Sequence, residues 1–211
     1  FGKWEALAAL PPPADPARTP IRAAMHAYGQ GVALAALGRF HAAHVARESF
    51  HRIREGIDPA AIFLPNPIVT MLGVGEAMLE GELAYHEGDH ARGFDWLRAA
   101  VARDDALNYT EPWAWMHPPR HALGALLAEQ GRFEEAEQVY REDLGLWPGV
   151  PRCCQHPDNI WALTGLVECV ARRGESAEAA HLRQRLTLAQ ARADEPIRAA
   201  CCCRGRARAA A

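Results

Sequence analysis

No segment of this chain alternates apolar and polar residues for long enough to make a strand, and β-branched residues are sparse. What recurs is a spacing of small and apolar positions around a glycine. A small residue comes seven before the glycine and another comes five after it, in Gly31/Gly38/Ala43, Gly81/Gly88/Gly93, Gly124/Gly131/Ala136 and, more loosely, Val167/Gly174/Ala179. An apolar residue sits three after the first member in each case: Leu34, Ala84, Leu127 and Val170. The middle glycine is expected to take the left-handed conformation that closes one helix and opens the next. The flanking small residues then let the two helices approach where they cross. Phe50, Leu97, Tyr140 and Leu186 fall on the second helices and are expected to fill the seam toward the next hairpin.

The pattern predicts an all-α chain, an α-solenoid of stacked antiparallel helical hairpins over about 20–54, 68–103, 118–146 and 158–194. The remnant of an earlier helix precedes them around Trp4–Leu10, and a Cys/Arg/Ala tail follows over 195–211. Pro20, Pro118 and Pro119 lie near helix starts, where a missing amide costs nothing. Asp89, Asp158 and Ser176 are expected N-caps. Successive turn glycines are 50, 43 and 43 residues apart, against roughly 34 for a minimal tetratricopeptide unit. The excess falls in Pro- and Asn-rich connections, which should project as long loops.

Composition narrows the function classes. With 49% hydrophobic residues the chain can build a core. The formal charge is −3, Lys3 is the only lysine, and the arginines are interspersed with Asp and Glu. No basic stripe with aromatics appears, so nucleic acid is not the expected partner. The basic tail at Arg204, Arg206 and Arg208 reads as a solvated end. No apolar run approaches a membrane span. Phe1 in place of an initiator Met suggests a fragment or processed product. Five of the six cysteines sit in two tight clusters, Cys153–Cys154 and Cys201–Cys203, which fits a reducing, cytoplasmic setting better than a secreted disulfide framework.

The run Gly124–Ala125–Leu126–Leu127, then Gly131–Arg132–Phe133–Glu134–Glu135–Ala136–Glu137 and Tyr140–Arg141–Glu142–Asp143–Leu144, resembles a large family of tetratricopeptide repeat proteins. Phe1–Gly2–Lys3–Trp4, the Tyr28-x-x-Gly31-x-Ala33-x-Ala35-x-x-Gly38 run, Gly81–Glu82–Leu83–Ala84 and Tyr109–Thr110–Glu111–Pro112–Trp113 carry the same likeness. It covers most of the chain and corresponds to the family's C-terminal half, longer members having further histidine-containing repeats upstream. The last hairpin, with His156–Pro157–Asp158–Asn159–Ile160–Trp161 and Glu168–Cys169, looks like a eukaryotic branch. The resemblance implies architecture and no particular reaction.

In such solenoids the first helix of each hairpin lines a concave groove. The spacing places Tyr28, Met78, Glu82, Tyr85, His86, His121, Glu129, Trp161, Glu168 and Arg172 on that inner face, unless some of them only pack on the neighbouring hairpin. A groove of aromatics, carboxylates and histidines suits an extended peptide or a partner helix. Clamps for acidic chaperone C-termini, as that family is known, rely on lysines absent from these helices, so that ligand is disfavoured. The connection Tyr109–His117, with Trp113 and Trp115, would contact a ligand at the groove mouth, or its indoles would plug the gap left by a long linker while Glu111 pairs with Arg120.

Cys153 and His156 precede the last hairpin, and Cys201 and Cys203 follow it. If antiparallel helices bring the two loops together, the four could hold zinc; free thiols or a disulfide are the alternatives. No other cofactor is implied. Cys169 reads as a small core residue. The pairs His41/His44 and His44/His51 share a helix face without a carboxylate partner motif, and neither a phosphate-cradling loop nor a nucleophile elbow occurs. The expected function is therefore a protein- or peptide-binding scaffold rather than an enzyme, with no oligomeric state assigned. The alternative is a metal-dependent or hydrolase-like activity at a His/Glu/Trp site between repeats, completed by a missing N-terminal half.

Overall fold

A computed structural model of the chain describes residues 2–174 and 176–204. Arg206 and Arg208 of the basic tail lie outside the described residues. The fold is mainly helical and divides into two compact units, Phe1–Pro119 and Arg120–Ala211. Among the described residues no helix is long and apolar enough to cross a membrane.

The first unit holds α1 (Trp4–Ala8), α2 (Pro20–Ala36), α3 (Phe40–Glu55), α4 (Ile68–His86) and α5 (His90–Asp105). The turn glycines Gly38 and Gly88 have φ of 71° and 96°, the left-handed conformation expected at α2–α3 and α4–α5. Asp89 caps α5 by accepting from the Arg92 amide at 3.2 Å. Short α1 packs on α2, where Leu7 lies over Gly29. Contrary to the strand-free expectation, β1 (Ile62–Phe63) and β2 (Asn66–Pro67) form a minimal antiparallel hairpin in the first long connection.

Helix α4 is the spine of this unit. Nearly every residue from Leu72 to Tyr85 is buried, because α2 and α3 cover it on one side and α5 on another. Its glycines cost roughly 1 kcal/mol each in helix propensity, and Gly75 and Gly81 are used for close approaches. A Cβ at Gly81 would stand 2.8 Å from Leu97 of α5. Conversely, Gly93 of α5 sits against Tyr85 and the Gly81 carbonyl. Gly31 departs from the reading that small residues serve their own hairpin: it receives Leu79 of α4.

The second unit holds α6 (Pro119–Glu129), α7 (Phe133–Asp143), a single 3₁₀ turn at Arg152–Cys154, α8 (Ile160–Arg172) and α9 (Ala177–Gln190). Gly131 and Gly174 again have positive φ at the helix–helix turns. Ser176 caps α9 as expected, accepting from the Ala179 amide. Asp158 does not cap α8. Asn159 does so, accepting from the Ala162 amide at 2.8 Å, while the Asp158 carboxylate turns to Arg185. Tyr140 of α7 lies between two backbones: its ring covers Gly124 of α6 on one side and Gly165 of α8 on the other. The small position of the last hairpin is thus Gly165 rather than Val167, and it serves the preceding hairpin.

Candidate functional site

The two long connections of the first unit come together. Asn66, at the start of β2, is buried; its side chain donates to the Asn108 carbonyl at 2.9 Å and accepts from the Asn108 amide at 2.8 Å. The Asn108 side chain donates in turn to the Pro65 carbonyl at 3.0 Å. These bonds hold the hairpin tip beside the 107–118 segment. Trp115 anchors that segment by inserting against Gly75, where a Cβ would stand 2.5 Å from the indole. Its Nε1–H points at the Met78 sulfur at 3.1 Å, and its ring meets Tyr28 edge-on at 5.3 Å. One of the two indoles therefore plugs the core, and the other does not.

Around these anchors the large apolar side chains point outward. Ile62, Phe63 and Leu64 on the hairpin are exposed, as are Tyr109, Trp113 and Met116 on the second segment, with Trp113 42% accessible. Leu64 has φ of 56°, a left-handed conformation that is costly for a branched side chain and belongs more naturally to Gly or Asn. The Tyr109 hydroxyl donates to Glu111. The Arg120 guanidinium lies 3.6 Å from Glu142.

The expected inner-face residues separate into two groups. Tyr28, Met78, Tyr85 and His121 are buried, as is Glu82, whose carboxylate is fully enclosed with neither oxygen hydrogen-bonded. Burial pushes the Glu82 carboxyl up to about 8. These side chains belong to the core rather than to an open groove, because the neighbouring helices cover that face of α4. His86, Trp161 and Glu168 are half-buried; Trp113, Glu129 and Arg172 are exposed. The Arg172 guanidinium lies over the Phe133 ring at 4.9 Å. Glu168 is taken up by Arg204 in a two-pronged ion pair at 2.5 and 2.9 Å. Arg204, read as part of a solvated tail, is therefore bound back onto α8.

The zinc set does not assemble. Cys201 and Cys203 are bonded to each other, Cys153 is exposed beside Cys154, and His156 Nδ1 is 2.7 Å from an Asp143 oxygen. Among the described residues no group of three or more His, Cys, Asp or Glu is placed to hold a metal ion. Cys169 is buried, and its thiol is pushed up to about 12 by burial and by the nearby Glu168 and Glu137.

Two polar constellations escape sequence reasoning. Asp143, fully buried at the end of α7, receives His121 Nε2 at 2.9 Å, His156 Nδ1 at 2.7 Å and the Asn159 amide at 2.7 Å. Burial would raise its carboxyl, but the hydrogen bonds and charge of His121 and His156 outweigh that and hold it well below the usual range. In the first unit, Glu76 and Glu80 lie one turn apart on α4 and gather cations from both sides. Arg54 and Arg103 approach Glu76 at 3.1 and 2.9 Å, and His51 approaches Glu80 at 2.9 Å. Histidines of α3 pair with carboxylates outside their own helix, His51 with Glu80 of α4 and His44 with Glu87 just after it at 2.6 Å. The acid spacing was visible in the sequence; the helix that would face it was not. No protein-family model, curated protein or solved structure matches the chain.

Proposed function

We propose that this chain is a protein- or peptide-binding scaffold built of stacked antiparallel helical hairpins of the tetratricopeptide kind. The observation that carries the reading is the exposed apolar surface formed by the hairpin tip and the Tyr109–Met116 segment. Its side chains point into solvent while the backbone beneath is fixed by Asn66, Asn108 and Trp115. Several exposed large apolar side chains carried on two segments that are tied together are the mark of a recognition surface. A flexible linker would have no use for an indole, a phenol and three aliphatic chains held in place. The Asp143, His121 and His156 cluster and the Glu76 and Glu80 ion pairs tie helices and loops together, which supports binding over chemistry as the occupation of the surface.

Selection of a random peptide library against the full chain tests this. Binders are expected to be enriched, and Phe63→Ser/Trp113→Ser is expected to weaken them by about 30-fold, the loss typical of removing one strong anchor. Failure to enrich any binder, or binders indifferent to the double substitution, would overturn the proposal.

A further inference from the structure

The two segments that carry the exposed apolar side chains bear charge of one sign. Between Glu55 and Pro67 the chain carries Glu55 and Asp58, and between Asp104 and Pro119 it carries Asp104, Asp105 and Glu111; neither segment contains a lysine or arginine. Arg54 and Arg103, which flank the two segments in sequence, are both held by Glu76 of α4. The charge that these two segments themselves offer an incoming partner is thus anionic, exposed at Glu55, Asp58 and Glu111. An anionic rim around an apolar centre attracts cationic partners and repels anionic ones, through charge that salt screens.

From this we infer that the surface docks a segment that is apolar on one face and rich in arginine or lysine on the other, such as a basic amphipathic helix. The inference rests on the scaffold reading above and adds the chemistry of the partner. Leu64 supports it independently. A left-handed position in a hairpin ordinarily takes Gly or Asn, and an exposed leucine there is strained. That strain is borne by an exposed apolar side chain next to Phe63 in the chain, on the tip where a partner's apolar face would land. The same carboxylates disfavour an anionic membrane, which would otherwise suit an exposed Ile-Phe-Leu tip.

The test uses the full chain and three synthetic amphipathic peptides of about five helical turns. All share one Leu/Trp face, and the opposite face carries arginine, glutamine or glutamate. The arginine peptide is expected to bind at least tenfold more tightly than the glutamine peptide at about 0.05 M salt, and that margin should shrink at about 0.5 M. The glutamate peptide should not bind. Asp58→Asn/Glu111→Gln should erase the margin without weakening the glutamine peptide. Leu64→Gly should weaken both peptides while leaving thermal stability equal or higher.

Equal binding of arginine and glutamine peptides would overturn the inference and leave the scaffold reading standing. Absence of binding by all three, together with failure of the library selection above, would sink both. Preferential binding to phosphatidylserine vesicles over phosphatidylcholine vesicles and over every peptide would overturn it in favour of a membrane.

Discussion

Asn66 and the backbone of Asn108 exchange two hydrogen bonds across a sequence separation of 42, one in each direction, at 2.9 and 2.8 Å. The pairing turns two loops into one platform. Asn66→Ala removes both bonds and leaves the amide and carbonyl of Asn108 without this partner, so a loss of about 1–3 kcal/mol in urea unfolding is expected. Hydrogen exchange at residues 60–67 and 107–112 should rise together. Exchange confined to one of the two segments would mean that they are fixed separately.

Glu82 sets the response to alkali. Its carboxyl titrates near 8 in the folded chain against an ordinary 4.5. The folded state therefore keeps a proton that the unfolded state has lost. Stability from this group is complete below about pH 4.5, falls as pH rises through the interval to about 8, and is flat beyond. The fall amounts to on the order of 5 kcal/mol. Glu82→Leu is expected to raise the melting temperature at pH 8 far more than at pH 4.5. A gain independent of pH would show that the carboxyl is not buried in its neutral form.

Asp143 works in the opposite direction. Its depressed carboxyl contributes stability at pH values above the ordinary 3.8 and loses it as pH falls below that value. Asp143→Ala should cost about 3–5 kcal/mol at pH 7, because it leaves His121 and His156 buried without their shared partner. The difference from wild type should narrow in acid. An undiminished difference at about pH 3 would contradict the assignment.

The Tyr140 socket predicts a compensating pair. A methyl at Gly165 would run into the Tyr140 ring, so Gly165→Ala should destabilise by about 1–3 kcal/mol. Gly124→Leu should do at least as much, since a Cβ there stands 2.5 Å from the same ring. Combining Gly165→Ala with Tyr140→Leu should cost less than the sum of the two single changes, by more than about 0.5 kcal/mol. Strict additivity in chemical denaturation would refute the contact.

The helix–turn–helix layout was legible because a turn glycine and its flanking small residues are local signals. Gly38 and Gly88 announce themselves by spacing alone. Burial was less legible. The pattern on α4 identifies small and apolar positions all round the helix, but only the packed neighbours decide that Met78 and Glu82 face other helices rather than a groove. Asp143 was hidden for a similar reason. It ends an acid-rich helix like any surface residue, and its histidines lie 22 and 13 positions away across two turns. Trp113 and Trp115 are two positions apart with opposite fates. The choice between them depends on the notch at Gly75, which lies in a different helix.

The socket around Tyr140 also bears on how this molecule could be divided. The aromatic ring is rooted in α7 yet walled by the main chains of α6 and α8. Cutting at the glycine turn or at the connection after α7 would always strip one wall and leave a phenol facing water. These three helices are therefore inherited, grafted or truncated only as a block, although their turns mark them as separable pairs.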